Sequence, residues 1–240
     1  MLSKILSDVF EFRIMKKNLT NFFTLLIIGT TLICCEKDKN KGIPVDGDGN
    51  VYDTVVIGTQ VWLKENLKTT KYNDGYPIPL IKDNALWSTY PVGAYCWYEN
   101  SPIYKEIYGA LYNWHATRSE LFCPDGWHVP TKEEWAIMID YLGGDNVAGS
   151  KLKEAGFEHW KSPNEDATNE FDFYALPGGS RYFGDGSFDY IKTTGYWWTS
   201  SPYQDETAAW RVKLTYHDGW AEIGAFNKPT GMSIRCIKDK

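Results

Sequence analysis

The sequence predicts an α+β domain in which short antiparallel strands are joined by two or three short helices. Three observations support this: a hairpin signal over residues 51–63, a helix-start signal at residues 131–134, and short alternating segments throughout the C-terminal half. The chain of 240 residues contains 11 Trp and 16 Tyr, whose large side chains suit a core or an interface. A mean hydropathy of −0.42 argues against a multi-span membrane protein.

The N-terminal segment predicts export. Lys16 and Lys17 precede an apolar run of 12 residues, Phe22 to Ile33, which ends at Cys34 and Cys35. This run is shorter than the ~20 residues that a transmembrane helix needs, and it is typical of the core of a signal peptide. We therefore expect a signal peptide over residues 1–34, with residues 1–14 as a start-site artefact ahead of Met15.

The cysteines that follow the apolar run resemble the lipobox of bacterial lipoproteins. Lipidation at Cys35 places Leu32 at position −3 and Cys34 at −1, whereas lipidation at Cys34 would place the larger Ile33 at −1. We expect the lipid on Cys35, which makes the protein an outer-membrane lipoprotein facing the periplasm or the cell surface. A plain N-terminal membrane anchor without lipid is the alternative.

Residues 35–50, from the lipidated cysteine through a polar and glycine-rich stretch, predict a flexible tether, with a single domain over residues 51–240. Within the tether, "DGDGN" indicates a turn, because a calcium loop starting at Asp46 would need glycine where Val51 stands and an acid where Ile57 stands. The first 34 residues carry four basic and two acidic side chains, so their removal changes the net charge from −6 to −8. This acidity argues against a nucleic-acid partner.

The elements of the first half follow from local patterns. Apolar residues on either side of Gly58-Thr59 predict a β-hairpin, and "GAYCWYE" (93–99) predicts a strand. In "IYGALYNWHATRSEL", the spacing of Leu111, Trp114 and His115 predicts a short helix.

The stretch "GWHVPTKEEW" predicts the start of a helix. Thr131 and Glu134 have the spacing of a capping box, and Pro130 cannot lie inside a helix. One helical face carries Trp135, Met138, Ile139 and Leu142, and Gly143-Gly144 ends the helix. We expect Asp145 to cap a second helix that ends before Gly156. Trp127 and Trp135 are then core anchors, and His128 is a satisfied packing residue.

The C-terminal half predicts β-structure. Its segments "FYALPGGSRYFGDGSF", "TGYWWTSSP", "AAWRVKLTYHDGWAEIG" and "GMSIRCIK" are separated by Gly, Pro, Asn and Asp. Trp210, Val212 and Leu214 alternate with Arg211 and Lys213, which indicates a half-buried strand.

Seven motifs in order carry a family likeness: "VVIGTQVWLKENLKTTKYNDG", "YGALYNWHA", "CPDGWHVPTKEEW", "AGSKLKEAG", "ALPGGSRY", "GYWWTSS" and "GMSIRCIKD". Together they resemble the Fibrobacter succinogenes major paralogous domain. This resemblance implies a secreted or lipid-anchored bacterial protein without an established activity.

A second resemblance is to formylglycine-generating enzymes, carried by "GWHVPTKEEW" and "GMSIRCIK". It implies a C-type-lectin-like domain with a twisted antiparallel sheet and neighbouring termini. The residues alone leave three pairings open among Cys96, Cys123 and Cys236. The resemblance implies a Cys123–Cys236 disulfide, which makes Cys96 a small apolar strand residue.

Motifs of catalysis and metal binding are incomplete. The chain has Cys236 but not the paired reactive cysteines of the formylglycine-generating enzymes, and "SPN" (162–164) lacks the carboxylate of a lectin calcium triplet. The acidic residues Glu165, Asp166, Glu170 and Asp172 form either an ion site or a solvated loop, and the second is favoured. The four histidines are scattered. We therefore predict no catalytic residues, no metal site and no cofactor.

Aromatic residues in glycine-rich strands and loops are the remaining candidates for binding: Trp197, Trp198, Tyr203, Trp220 and Phe226. Trp197 and Trp198 are predicted to point to opposite faces of a sheet, so one of them is a candidate platform for a sugar or a protein. The alternative is that most of these rings fill the core. We expect a non-catalytic envelope protein that binds a glycan or a surface protein; the alternative function is a polysaccharide-acting enzyme.

Overall fold

The computed structural model describes residues 42–204 and 206–240. The predicted signal peptide, the predicted lipid site Cys35 and the first part of the predicted tether lie outside these residues. Contacts along the chain group Pro44–Lys240 into one unit. Among the described residues, no helix is both long and apolar enough to cross a membrane.

The unit is mixed α and β, with antiparallel sheets and few helices. The strands are β1 (Thr54–Ile57), β2 (Gln60–Leu63), β3 (Tyr95–Cys96), β4 (Leu111–Tyr112), β5 (Trp127–His128), β6 (Gly178–Arg181), β7 (Phe188–Ile191), β8 (Thr194–Pro202), β9 (Ala208–Thr215), β10 (Ala221–Asn227) and β11 (Ile237–Lys238). The α-helices are α1 (Asn84–Thr89), α2 (Lys105–Tyr108), α3 (Lys132–Tyr141) and α4 (Asp145–Leu152), and 3₁₀ turns span Tyr98–Asn100, Pro102–Tyr104 and Trp114–Arg118.

One sheet joins the two ends of the unit. Its strand order is β1-β2-β11-β5, and the β1–β2 hairpin turns at Gly58-Thr59 as predicted. The backbone N–H of Leu63 also donates to the carbonyl of Cys236 at 3.1 Å. The expected approach of the N-terminal and C-terminal segments of the domain is therefore confirmed.

The predicted helix start is confirmed at α3. The Thr131 hydroxyl accepts from the N–H of Glu134, while the Glu134 carboxylate accepts from the N–H of Thr131. The second helix begins one residue earlier than predicted, because Gly144 is its N-cap and Asp145 is its first residue, and it ends already at Leu152 instead of continuing to Gly156. The helix predicted near Leu111 is wrong: Leu111 pairs in β4 with Cys96, and the chain then forms the 3₁₀ turn Trp114–Arg118.

The second main sheet has the strand order β10-β9-β8 and lies between two hydrophobic clusters. Trp197 of β8 packs in one cluster with Trp135 and Leu214, whereas Trp198 packs in the other with Tyr112 and the disulfide. Neighbouring residues of a strand point to opposite faces, so one strand supplies an anchor to each cluster.

Several polar side chains that are buried in this core form hydrogen bonds with one another and with the backbone. The Asn66 side chain accepts from the Trp197 indole N–H at 2.8 Å and from Arg235 at 2.9 Å, and it donates to the carbonyl of Tyr108 at 2.9 Å. Trp198 donates its indole N–H to the carbonyls of Tyr112 and Thr230. These bonds compensate the loss of water around the buried polar atoms.

The tether prediction needs correction for residues 44–50. Val45 pairs with Val51, and the Asp46 carboxylate is buried, where it accepts a 2.5 Å hydrogen bond from the Tyr52 hydroxyl. Asp46 also accepts from the N–H groups of Asp48 and Asn50, which forms the predicted turn. This turn therefore belongs to the folded unit.

The disulfide predicted from the resemblance is present. Cys123 and Cys236 are bonded across a sequence separation of 113 residues, and the bond ties the segment before β5 to the start of β11. Cys96 is free and fully buried, and burial raises the pKa of its thiol to about 12. Its role as a small apolar strand residue agrees with this environment.

Candidate functional site

The aromatic residues predicted as ligand platforms occupy different environments. Trp197 and Trp198 have no exposed surface, so the prediction that one of them is a surface platform is wrong, and both are core anchors. Tyr203 is half-buried and packs edge-on against Trp210, with 4.9 Å between ring centroids. Trp220 is 56% exposed and is the one member of the predicted set that presents most of its ring to solvent.

Trp220 borders a groove of about 470 Å³ between α3, α4 and β10. The carboxylates of Asp140, Asp145 and Glu222 line it, although Glu222 is already paired with Arg211. Gly149 of α4 allows the close approach, because a Cβ there would lie 2.3 Å from the carbonyl oxygen of Trp220. The backbone of Trp220 is thus held firmly while its indole remains exposed.

A second groove, also of about 470 Å³, has more aromatic rings. We call it the tyrosine groove, and its lining residues are Ser180, Tyr182, Asp185, Ser187, Asp189, Tyr190, Tyr196, Phe226 and Met232. Tyr190 is 57% exposed and Tyr182 is 40% exposed. The groove lies along the β6–β7 hairpin, where β8 and β10 contribute Tyr196 and Phe226.

The backbone of the β6–β7 hairpin sets the position of Tyr190. Gly178 pairs with Ile191 and Ser180 pairs with Asp189, so Gly179 lies opposite Tyr190. Gly179 has φ +66° and Tyr190 has φ +68°. An aromatic residue rarely adopts this left-handed conformation, and such strain concentrates at functional sites.

The polar groups of the tyrosine groove are arranged to accept hydrogen bonds. Asp185 holds the hairpin loop by accepting from the N–H of Ser187 at 2.9 Å. The Ser187 hydroxyl and then its backbone N–H lower the pKa of Asp185. Asp189 is exposed beside it. Exposed ring faces next to ionised carboxylates can stack on the apolar face of a sugar and accept from its hydroxyl groups.

A further cavity, of about 570 Å³, is lined by many charged residues. It contains Lys64, Lys68 and Lys105 together with the carboxylates of Asp53, Glu65, Glu106 and Glu154, and His159. Partial burial raises the pKa of Glu65, against the lowering effect of the Arg235 cation. Acidic and histidine side chains therefore do converge in one place.

At the edge of this cavity, to which Glu154 and His159 contribute, the structure brings together residues that the sequence analysis did not group. Glu154, Glu158 and His159 place one ligand atom each within 4.8 Å of one another. The sequence analysis predicted no metal site, on the spacing between histidines alone. Two carboxylates four residues apart followed at once by histidine, in "EAGFEH", was the informative pattern.

The acidic loop considered as an alternative ion site has other partners. Glu170 pairs with Lys151 at 3.6 Å and Asp172 pairs with Lys64 at 3.0 Å. Both acids are exposed, as are Glu165 and Asp166. A solvated loop accounts for these contacts.

His128 is held by two carboxylates. Its Nε2 lies 3.0 Å from Glu134 Oε1 and its Nδ1 lies 2.5 Å from Asp239 Oδ1. These contacts raise the pKa of His128, chiefly through Glu134. The side chain is satisfied as predicted, but it is 39% exposed, so its role is to bridge charges at the surface.

Comparison with known proteins identifies the family. No curated protein and no solved structure matches the chain. The model of the Fibrobacter succinogenes major domain matches residues 55–238, which include every strand and helix described above except the first residue of β1. The chain therefore belongs to the Fibrobacter succinogenes major domain family.

Proposed function

We propose that this protein is a lipid-anchored envelope protein that binds a glycan without changing it chemically, and that the tyrosine groove is its binding site. The observation that carries the proposal is the set of four aromatic rings around a groove that also contains two exposed carboxylates. A surface protein that packs against the same aromatic rings is the other ligand class in this proposal. We also propose that the α+β fold is of the C-type-lectin-like kind.

Sugar recognition fits the chemistry of this groove. Tyr190 and Tyr182 offer exposed ring faces, and Asp185 and Asp189 offer acceptors for hydroxyl groups. The Tyr190 ring packs edge-on against Tyr196, with 6.1 Å between centroids, and this contact restricts the ring before any ligand arrives, which lowers the entropy lost on binding.

The location of the protein in this proposal rests on its N-terminal sequence. A lipid on Cys35 would hold the domain at the outer membrane, facing the periplasm or the cell surface, and the acidic domain would not attract nucleic acid. Labelled palmitate should enter the wild-type protein and not the Cys35→Ser variant. Equal labelling of both would contradict the lipid site.

Binding to an array of bacterial envelope and host glycans tests the site. With the purified protein, Tyr190→Ala and Tyr182→Ala should each lower the binding signal by about tenfold. A tenfold loss of affinity corresponds to about 1.4 kcal/mol, which is the size expected for one lost stacking contact. Tyr76→Ala is the matched control, because Tyr76 is an equally large ring that is 72% exposed elsewhere.

Trp220→Ala separates the two grooves. We expect it to leave the glycan signal unchanged, because Trp220 lines the other groove. Loss of binding in Trp220→Ala with full binding in Tyr190→Ala would contradict the tyrosine groove as the site. Absence of any glycan signal from the wild-type protein would contradict glycan binding itself.

The second candidate function is a polysaccharide-acting enzyme, and the charged cavity is the observation that favours it. Glu65, whose pKa is raised, shares the cavity with Glu154 and His159, and a pair of carboxyl groups in different environments suits general acid–base chemistry. Release of reducing ends from envelope polysaccharide, abolished in Glu65→Gln, would support it. No release by the wild-type protein would count against it.

A further inference from the structure

We propose that Glu154, Glu158 and His159 form a binding site for a divalent transition-metal ion of the zinc class. Each residue offers one ligand atom, and these atoms lie within 4.8 Å of one another. The proposal does not depend on glycan binding, because none of the three residues lines the tyrosine groove.

The charges of the cluster favour a cation. Glu154 is 8% exposed, and its carboxylate contacts His159 Nδ1 at 2.8 and 3.0 Å. Glu158 is exposed, and among the described residues no lysine or arginine pairs with either carboxylate. Two carboxylates this close repel each other, and a dication between them would remove that repulsion.

The loop that carries the three residues is fixed at both ends. Before it, the buried ammonium of Lys153 donates to the carbonyls of Glu165, Thr215 and Asp218. After it, the fully buried Trp160 donates its indole N–H to the carbonyl of Ala175 at 2.9 Å. A loop held in this way offers its ligands in place, so little entropy is lost when an ion binds.

A buried asparagine braces the middle of the same loop. Asn164, 4% exposed, donates its Nδ2 to the carbonyls of Glu154 at 2.8 Å and Gly156 at 2.7 Å. Its Oδ1 is buried and has no hydrogen-bond partner among the described residues. Tyr108 packs edge-on against the His159 ring, with 5.8 Å between centroids. Partners around the ligands that orient them are typical of metal sites.

The ligand types select the class of ion. One imidazole with two carboxylates suits Zn²⁺ and its neighbours, whereas calcium and magnesium favour oxygen ligands alone. Three protein ligands also leave a coordination position open. Glu154 and His159 both line the 570 Å³ cavity, so that position has room for water or for a ligand oxygen.

Isothermal titration of Zn²⁺ into the chelator-treated, purified full chain in detergent tests the proposal. We expect one equivalent to bind, with His159→Ala weakening the affinity by about 100-fold and Glu158→Gln by about tenfold. Glu158 is exposed and has no ion-pair partner among the described residues, so Glu158→Gln should fold as the wild type does. His115→Ala is the matched control, because it removes an imidazole that is not part of the cluster.

Thermal unfolding gives an independent readout. Zn²⁺ should raise the midpoint temperature of unfolding of the wild type and of His115→Ala, because an ion that binds only the folded state stabilises that state. The increase should be smaller for Glu158→Gln. The proposal is overturned if the wild type takes up no Zn²⁺ at about 1 mM. It is equally overturned if His159→Ala and Glu158→Gln, both folded, bind as tightly as the wild type.

Discussion

At the scale of single residues, His128 joins parts of the chain that are far apart in sequence. It contacts Glu134 in the first turn of α3 and Asp239 after β11. Burial alone would raise the pKa of Glu134, but hydrogen bonds from His128 and Thr131 outweigh it and hold the value at about 2. The imidazole therefore couples the helix cap to the C-terminal segment.

This coupling predicts a pH dependence of stability. The pKa of His128 is raised above 6.5 in the folded protein. Its contribution to the free energy of unfolding is therefore complete below pH 6.5 and is lost as the pH rises through the pKa of the folded state. The pKa of Glu134 is lowered from 4.5, so its contribution is complete above pH 4.5 and is lost as pH falls toward 2. The stabilisation is thus greatest between pH 4.5 and 6.5.

Denaturant unfolding of the wild type and His128→Gln measures the effect. At pH 5.5 we expect the variant to lose about 1–2 kcal/mol, which is less than the full pKa shifts would give because the imidazole is partly exposed. The difference should shrink once the pH exceeds the folded pKa of His128. A difference that is constant from pH 5 to pH 9 would contradict the charge bridge.

Single residues also mark the limit of what the sequence predicts. The pair Trp197-Trp198 was assigned correctly to opposite faces of a strand, but both faces are covered, so neither ring is available to a ligand. Tyr190 and Tyr182 were not predicted, because their exposure depends on a distorted hairpin and on packing against β8 and β10. Their proximity to the turn segment "GDGS" was the only local signal.

At the scale of elements, the β6–β7 hairpin determines the shape of the tyrosine groove. A Cβ at Gly179 would lie 2.4 Å from the carbonyl oxygen of Asp189 and 2.7 Å from the backbone nitrogen of Ile191. These atoms are backbone, so they cannot move without moving Tyr190. The absence of a side chain at Gly179 therefore permits the position of Tyr190.

Gly179→Ala should both destabilise the protein and weaken glycan binding. We expect a loss of about 2–4 kcal/mol in the free energy of unfolding, from steric overlap together with backbone strain. Gly126→Ala is the matched control: Gly126 also has positive φ, at +78°, but nothing lies within 4 Å of its Cβ position. The control should lose only about 1 kcal/mol. Equal losses in the two variants would contradict the steric argument.

Elements defined by neighbouring residues were predictable, and those defined by distant pairing were not. The β1–β2 hairpin and the capping box of α3 depend on residues within a short window, and both are confirmed. The two-residue strands β4 and β5 form because they pair with β3 and β11, respectively. No local pattern specifies that pairing, so Leu111 was predicted as helical.

At the scale of the whole molecule, the disulfide and β11 close the unit. Cys236 directly precedes β11, which lies between β2 and β5 in the sheet. The covalent loop between Cys123 and Cys236 contains α3, α4, the strands β5 to β10 and both grooves. Its closure restricts the unfolded chain more than the folded one, which stabilises the fold.

Removal of this crosslink should be costly. Cys123→Ala/Cys236→Ala should lose about 3–5 kcal/mol in the free energy of unfolding, because the loop is long. Cys96→Ala is the control, since it removes a buried thiol without a crosslink and should lose about 1 kcal/mol. A double variant as stable as Cys96→Ala would contradict the role given to the disulfide.

The central claim is that the tyrosine groove binds a glycan, and the dissociation constant of the strongest array ligand tests it most directly. Isothermal titration should give a constant about tenfold weaker for Tyr190→Ala than for the wild type and unchanged for Tyr76→Ala. All three proteins should unfold at similar temperatures. A constant that is unchanged in Tyr190→Ala would contradict the claim.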